Sequence, residues 1–567
     1  MMKNTFHLIR SEFSRSFLIF SIVLCTQAVS AQQPDAGSLM REAEPDTIPE
    51  TNVIPDVPAR VQPPAEVEGT SLPVGEFVFN GNSVLSDQAL MQVIGPWLNR
   101  QLTLAELKHV TDLIAERYRD KGYLVRVYLP EQNINDGSVL IEIVEALFGK
   151  VVIDDQSEQL GKRPDLVSGI MTSRHKPGEL FNLQDTERAA LLVNDLPGIS
   201  AKAVLAAGDK QRHTDIKLSV VDGGQRQSYA SLDNYGSRST GRERLIVSSS
   251  WANPFERGDK IDANFMLSDG NRYAKASYDM PVGFEGMRLG TSLSLLSYKL
   301  GGDFEDLDAE GSASNVGVYA TYPLIRQAQR NMRLSGGLLL RDYENEQLGE
   351  QTSDKSVTAI NVGINGDMVD GHGGGGVYYY GANLILGDLD LSGNKTNQIL
   401  DQSSAKTEGS YVKVAWNVAR LQYINEDMNL WLGARGQFAD KNLDSSETIN
   451  LGGAQGVRAY PTLEGSGDEG LIMTAEMRYA FNENWSFKGF IDYGRITQKS
   501  TQTTSSESHD LKGYGVSADW SVPQQQVTAR ITLATRIGDN PLADDDGNDT
   551  DGTKHDYPVW VNFTKRF

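Results

Sequence analysis

Few residues in this 567-residue sequence have types and spacing suited to chemistry. Seven histidines are scattered along it, and none stands at the H-x-x-x-H spacing that puts two imidazoles on one helix face, so no metal centre is expected. Asp544-Asp545-Asp546-Gly547-Asn548-Asp549 is rich in oxygen ligands, but its glycine and acidic positions do not fit an EF-hand loop, and it reads as a solvated loop. The serines around Ser505 and Ser508 lack a nucleophile-elbow context, and no glycine-rich phosphate loop precedes a helix. The one cysteine, Cys25, falls near the amino terminus. No catalytic residue, metal or cofactor is expected, and the chain reads as a non-enzyme. Two charged residues stand out instead. Arg458 lies in a glycine-rich connection, and Asp492 lies in an alternating run where Lys488 and Phe490 share its face. Trp485, Phe487, Ile491 and Tyr493 take the opposite face.

The elements that must position this pair begin with an export leader. Lys3, Arg10 and Arg15 precede the apolar run 17–25, and Val29-Ser30-Ala31 supplies the small residues of a cleavage site. Residues 1–31 therefore read as a signal peptide, and no apolar run of about 18 residues exists for a membrane-spanning helix. Residues 32–72 are rich in Pro, Glu and Asp. Pro49, Pro55, Pro58, Pro63 and Pro64 exclude a long helix, leaving a linker with room for one short plug helix near 37–44. The formal net charge of −22 argues against nucleic acid as a partner.

Residues 73–147 and 148–222 each read as β-α-α-β-β. In the first, Ser86 and Asp87 open a helix that Gly95-Pro96 stops. Thr103 opens the next, with Glu106 as capping-box partner, and Leu107, Val110, Leu113, Ile114 and Tyr118 form its buried face. The second module repeats the order with helices over 165–171 and 183–194.

Residues 223–567 carry no convincing amphipathic helix and alternate polar with apolar in segments separated by Gly, Asn, Asp and Ser. In 471–481, Met473, Met477, Tyr479 and Phe481 point one way and Thr474, Glu476 and Arg478 the other. Charges on an inner sandwich face would sit in oil. A transmembrane barrel puts them in a wet lumen and turns the apolar face to lipid. Tyr557, Val559, Val561, Phe563 and the terminal Phe567 continue that face. At roughly 21 residues per strand and connection, the segment holds about sixteen strands, an even number as bacterial barrels have. The fold class is mainly β: a 16-stranded transmembrane β-barrel preceded by two β-α-α-β-β modules.

Several stretches together resemble the two-partner secretion outer-membrane transporters of the haemolysin and filamentous-haemagglutinin type, members of the POTRA–barrel superfamily. They are residues 75–82, Asp233-Asn234-Tyr235-Gly236, Asn253-Pro254, Tyr322-Pro323-Leu324-Ile325-Arg326 and Gly387-Asp388-Leu389-Asp390-Leu391. Val457-Arg458-Ala459-Tyr460 is similar to the superfamily's VRGY loop motif, with Ala459 where Gly is usual. Phe490-Ile491-Asp492-Tyr493-Gly494 is similar to its F-x-D-x-G strand motif. The resemblance implies that the two modules are periplasmic POTRA domains and that the loop folds into the barrel, where Arg458 pairs with Asp492. Parity agrees, since an inward Asp in a partly desolvated lumen needs a cation. The turn survives Ala459 if that position does not need positive φ.

The resemblance further implies an outer-membrane monomer that recognises a large unfolded exoprotein through its POTRA domains. It would secrete that partner through the pore, and transport could also activate it. Two other readings stay open: a β-barrel insertase, or a porin or adhesin barrel with an unrelated periplasmic binding module.

Overall fold

The computed structural model describes residues 33–44, 71–134, 137–155, 164–499, 506–554 and 556–567. The signal peptide expected over residues 1–31 and most of the expected linker lie outside the described residues.

The first described element is helix α1 (Ala36–Ala43), which starts one residue before the expected position because Asp35 caps it. The Asp35 carboxylate accepts from the Ser38 amide at 2.9 Å, and the Ser38 hydroxyl accepts from the Asp35 amide at 3.0 Å. This reciprocal box satisfies two donors that a helix start leaves free.

Two modules follow. The first contains strands β1 (Ser71–Val74) and β2 (Glu76–Asn80), helix α2 (Asp87–Ile94), strand β3 (Arg100–Thr103) and helix α3 (Leu104–Asp120). Strands β4 (Val125–Tyr128) and β5 (Ser138–Glu145) complete it. Its sheet order is β2-β5-β4, with β2 parallel and β4 antiparallel to β5. Thr103 and Glu106 form the expected capping box on α3, and Leu107, Val110, Ile114 and Tyr118 are buried against Val139, Ile141 and Ile143 of the sheet. An antiparallel ribbon of β1 and β3 is additional to the expected order.

The second module has β6 (Leu147–Asp155), α4 (Pro164–Thr172), α5 (Leu183–Asn194), β7 (Ile199–Ala207) and β8 (His213–Asp222). Its sheet order β6-β8-β7 repeats the first module's arrangement, including the parallel first pair.

Sixteen antiparallel strands, from Arg226–Asp233 to Val559–Arg566, close into a barrel. The closing pair is short, running from Asn562 opposite Asp233 to Arg566 opposite Tyr229. Asn234 lengthens it: its carboxamide donates to the Val559 carbonyl and accepts from the Val561 amide, each at 2.8 Å. The outer face is apolar and exposed, with Val318 at 57%, Ile360 at 52% and Ile491 at 60%. In water such a band would be unstable, and lipid is its natural solvent. Lys355, Glu476, Arg478, Lys488 and Asp492 point inward and are buried. Among the described residues no helix is long and apolar enough to cross a membrane, and the strands make the crossing.

Module two docks on the turns at one end of the barrel. Arg188 donates to the Pro323 carbonyl at 2.7 Å, Arg326 holds Asp195 through two bonds of 2.8 Å, and Arg174 pairs with Glu285 at 2.8 Å. This is the periplasmic end, so the acidic stretch 544–551, between the last two strands, lies at the extracellular end. One extracellular connection contains an unexpected helix, α6 (Lys395–Ser403). It is short and mostly polar, it is capped by Asn394, and its apolar residues Ile399 and Leu400 are exposed, so it has no core-facing stripe long enough to mark it in the sequence.

Candidate functional site

The lumen is filled from two directions. Between strands Met428–Ala439 and Glu469–Ala480 the chain leaves the wall and folds inward. Short pairing of Ile449 with Gly467 and Asn450 with Ser466 brackets this loop. Its tip carries Val457, Ala459 and Tyr460, all fully buried.

Arg458 sits at the centre. Its Nε and Nη2 each lie 2.8 Å from an oxygen of Asp492, and its Nη1 lies 2.8 Å from Glu476 Oε2. Asp492 also accepts from the Arg458 amide at 3.1 Å and from the Thr474 hydroxyl at 2.8 Å, so four donors converge on it. A carboxylate has about four acceptor sites, and this buried group is fully satisfied. The guanidinium lies 3.3 Å over the centre of the Phe490 ring, adding a cation–π contact. Glu476 also binds Arg478 at 2.8 Å, while Lys488 reaches Asp519 at 3.0 Å. The bidentate pair is thus one part of a charged network on the wall.

The remaining motif residues are packed rather than polar. Gly494 leaves room for Val457, since a Cβ there would lie 2.8 Å from Val457 Cγ2. Arg536 stacks on Tyr460 at 4.9 Å. Ala459 is not among the residues with positive φ, so its methyl causes no backbone strain. The space comes from across the interface: a Cβ on Gly513 would lie 2.4 Å from that of Ala459.

Helix α1 fills the space beside the loop. Ala36, Leu39 and Met40 join a buried cluster with inward residues such as Met266, Leu296 and Tyr298. Its polar groups are held individually. Asp35 pairs with Lys355 at 2.9 Å and accepts from Ser445 at 2.6 Å. Glu42 pairs with Arg244 at 3.4 Å, and Glu44 pairs with Lys275 at 3.0 Å. Lys355 also reaches Asp444 at 2.8 Å, so one buried ammonium joins the start of the plug helix to the root of the motif loop.

Sequence reasoning had Glu476 on the inner face but not as the second acceptor of Arg458. It missed Trp560, whose indole N–H donates to the Arg458 carbonyl, and the Gly513–Ala459 fit. Lys355 and Arg244 left no motif at all. Only the parity of their strands could have placed them inside.

Outside the membrane, Glu145 ends β5 within the first module and is buried. Burial pushes its carboxyl upward. Hydrogen bonds from the Ser83 hydroxyl, the Val84 and Ser83 amides and the Tyr118 hydroxyl outweigh that and hold it below the usual carboxylate range. The Tyr118 phenol is raised by its own burial and by this carboxylate.

Over residues 213–520 the chain matches the family model described as haemolysin secretion/activation protein ShlB/FhaC/HecB, and over residues 72–146 that of the ShlB-type POTRA domain. It is 27% identical to the heme/hemopexin transporter protein HuxB of Haemophilus influenzae, over 97% of this chain and 98% of that protein. It is 23% identical to the outer membrane transporter CdiB of Dickeya dadantii, over 82% and 83% of the two chains. Among solved structures, CdiB from Escherichia coli shares the fold, with a TM-score of 0.68 at 18% identity over 94% of this chain and 95% of that one. CdiB from Acinetobacter baumannii follows, with a TM-score of 0.62 at 16% identity, over 93% and 96% of the two chains.

Proposed function

The chain belongs to the haemolysin secretion/activation protein family ShlB/FhaC/HecB and is an outer-membrane two-partner secretion transporter, and from that premise we propose how its parts divide the work. Residues 73–147 and 148–222 capture the exoprotein unfolded in the periplasm. Edge strands such as β2 and β7 offer free backbone groups, and β7 carries the exposed Val204 and Leu205 beside them. Residues 223–567 form the conduit, and a single copy suffices because its sheet closes on itself. The partner is a large exoprotein of the haemolysin or adhesin type, and its folding outside the cell draws it through.

The observation that carries this reading is the occupied lumen. Both occupants are fastened to the wall by ion pairs and hydrogen bonds in addition to their apolar packing. Water and a passing chain can replace the polar contacts one at a time, which leaves only the small apolar seats to be given up. The Arg458–Asp492 pair holds the motif loop at rest, and Val457, Tyr460, Phe490 and Gly494 shape its seat.

Removal of residues 75–147 tests the reading. Secretion of the partner should stop while the barrel still shifts on heating in gel electrophoresis. Normal secretion without that module would end the case for capture there. A second measurement concerns the plug. Lys355→Met removes the cation shared by Asp35 and Asp444, and should raise single-channel conductance as α1 leaves.

A further inference from the structure

The inner wall is chemically divided, and the division marks a track. On the strands Glu469–Ala480, Trp485–Gln498, Glu507–Val522 and Val527–Arg536, the inward side carries Glu476, Arg478, Lys488, Asp492, Asp519 and Arg530. These charges satisfy one another, with Lys488 at 3.0 Å and Arg530 at 2.6 Å from Asp519, and the motif loop rests on them.

The wall on strands Glu350–Asp370, Gly376–Asp390 and Gly409–Tyr423 differs. From Val357 to Val369, Val377 to Leu389 and Tyr411 to Leu421, the inward charges are Asp367 near the periplasmic end and Lys413 near the extracellular end. Between them lie carboxamides and glycines, with Ala415 and Ile385 as the apolar residues among them. Asn361 stands opposite Gly337, Asn383 opposite Gly363, and Asn417 opposite Gly381. Each amide lies over its glycine: a Cβ would meet the Asn oxygen at 2.8 Å on Gly337, 3.0 Å on Gly363 and 2.5 Å on Gly381. The pattern makes a smooth strip with amide groups along it. The strip borders a cavity of about 840 Å³ beneath Arg41–Glu44 of the plug and beside residues 452–456 of the motif loop.

We infer that this Asn–Gly strip is the surface along which the polypeptide passes, in extended form, with its backbone hydrogen-bonded to Asn361, Asn383 and Asn417. The inference rests on the reading of the chain as a secretion conduit and adds where in the lumen the partner runs. A carboxamide both donates and accepts, so it can match either group of any peptide bond without regard to side chain. It is neutral, so it neither selects nor traps charged residues. Asn361 and Asn383 meet across 3.5 Å, a weak contact that is easily exchanged for one to a passing chain. The opposite wall is ill suited, since leaving its network would strand charges in a partly desolvated space.

The test uses the full-length chain in cells secreting the protein that disappears from the medium when this gene is deleted. The photoreactive residue p-benzoylphenylalanine is placed at Asn361, Asn383 or Asn417. Control positions are Ser517 and Thr532, which face the lumen on the other wall and bond each other at 2.7 Å. Adducts with the secreted protein at the Asn positions, and few at the controls, are expected. Equal or stronger adducts at the controls, or none at the Asn positions while secretion continues, overturn the track. In parallel, the pair Asn361→Leu and Asn383→Leu should lower secretion about tenfold, as loss of two neutral hydrogen bonds would, with the barrel still heat-modifiable. Asn361→Ser with Asn383→Ser should retain most secretion, and equal loss in both pairs overturns the inference. If no secreted protein depends on the gene, the transport reading itself fails, and the track with it.

Discussion

Trp560, on the barrel's last strand, donates its indole N–H to the main-chain carbonyl of Arg458 at 2.8 Å. Its ring stands edge-on to Tyr235, beside the first strand, with centroids 5.9 Å apart. The strand that closes the barrel therefore also holds the residue on which the motif loop turns, and Tyr235 braces the ring that does so. Trp560→Phe keeps the ring and removes the donor. The lost hydrogen bond costs about 1 kcal/mol, and the loop should leave its seat about fivefold more often. Single-channel recordings would read this as a higher open fraction. An unchanged trace would reduce Trp560 to a space-filling role.

The central pair should respond unequally to loss of either side. Arg458→Ala leaves Asp492 buried with only Thr474 as a side-chain donor, whereas Asp492→Ala leaves Arg458 its bond to Glu476. Full burial of an unpaired charge costs about 3–5 kcal/mol, and a wet lumen reduces it. Secretion should fall further in Arg458→Ala than in Asp492→Ala, and the double variant should be little worse than Arg458→Ala. Arg458→Lys should not restore function, because an ammonium cannot reproduce the fork that grips Asp492 while also bonding Glu476. Additive losses in the double variant would argue against direct coupling.

The parts legible in the sequence share a local cause. Alternation along each strand, as in Met473, Glu476 and Met477, reports which face is wet, and repeated it gives the barrel. The Thr103–Glu106 box marks α3 because both partners lie within one turn. The Arg458–Asp492 pair was legible because a resemblance joined two motifs and parity put Asp492 inside. Partnerships such as Asp35 with Lys355 span 320 positions and depend on barrel closure, which no local pattern records. Asp35 could be read at most as a helix cap. Strands β1 and β3 are four residues each and pair with each other across helix α2, a partnership that no local pattern records.

Acid should loosen the first periplasmic module before the barrel. The Glu145 carboxyl lies below its ordinary value in the folded module, held there by Ser83, Val84 and Tyr118. Unfolded, it should titrate near about 4.3. A depressed folded value means stability that is present above the unfolded value and lost as pH falls through the folded one. Protease cleavage within residues 71–145 should therefore rise steeply below about pH 4, and Glu145→Gln should be more easily cleaved at neutral pH and less responsive to acid. A pH profile identical in the two proteins would assign the acid sensitivity to other carboxylates.

The contact between Gly513 and Ala459 provides a test of the motif loop's seat that leaves every charge in place. The chain has alanine where the superfamily's loop motif usually has glycine, and the facing strand has glycine where a Cβ would lie 2.4 Å from the Ala459 Cβ. Neither residue has positive φ, so either position accepts glycine or alanine without backbone strain, and in the double exchange the changes in chain entropy offset each other. Gly513→Ala alone overfills the contact and should cost about 1–3 kcal/mol. Part of that strain should appear as displacement of the loop, with new trypsin cleavage at Arg458 and reduced secretion. Ala459→Gly alone removes one buried methyl, about 1 kcal/mol, and should leave secretion near normal. Combining the two restores the total volume with the methyl on the other side, so the double variant should secrete better than Gly513→Ala and resist trypsin. If the double variant is as defective as Gly513→Ala, the two residues do not share the space in the working transporter, and the loop is seated differently when the partner is secreted.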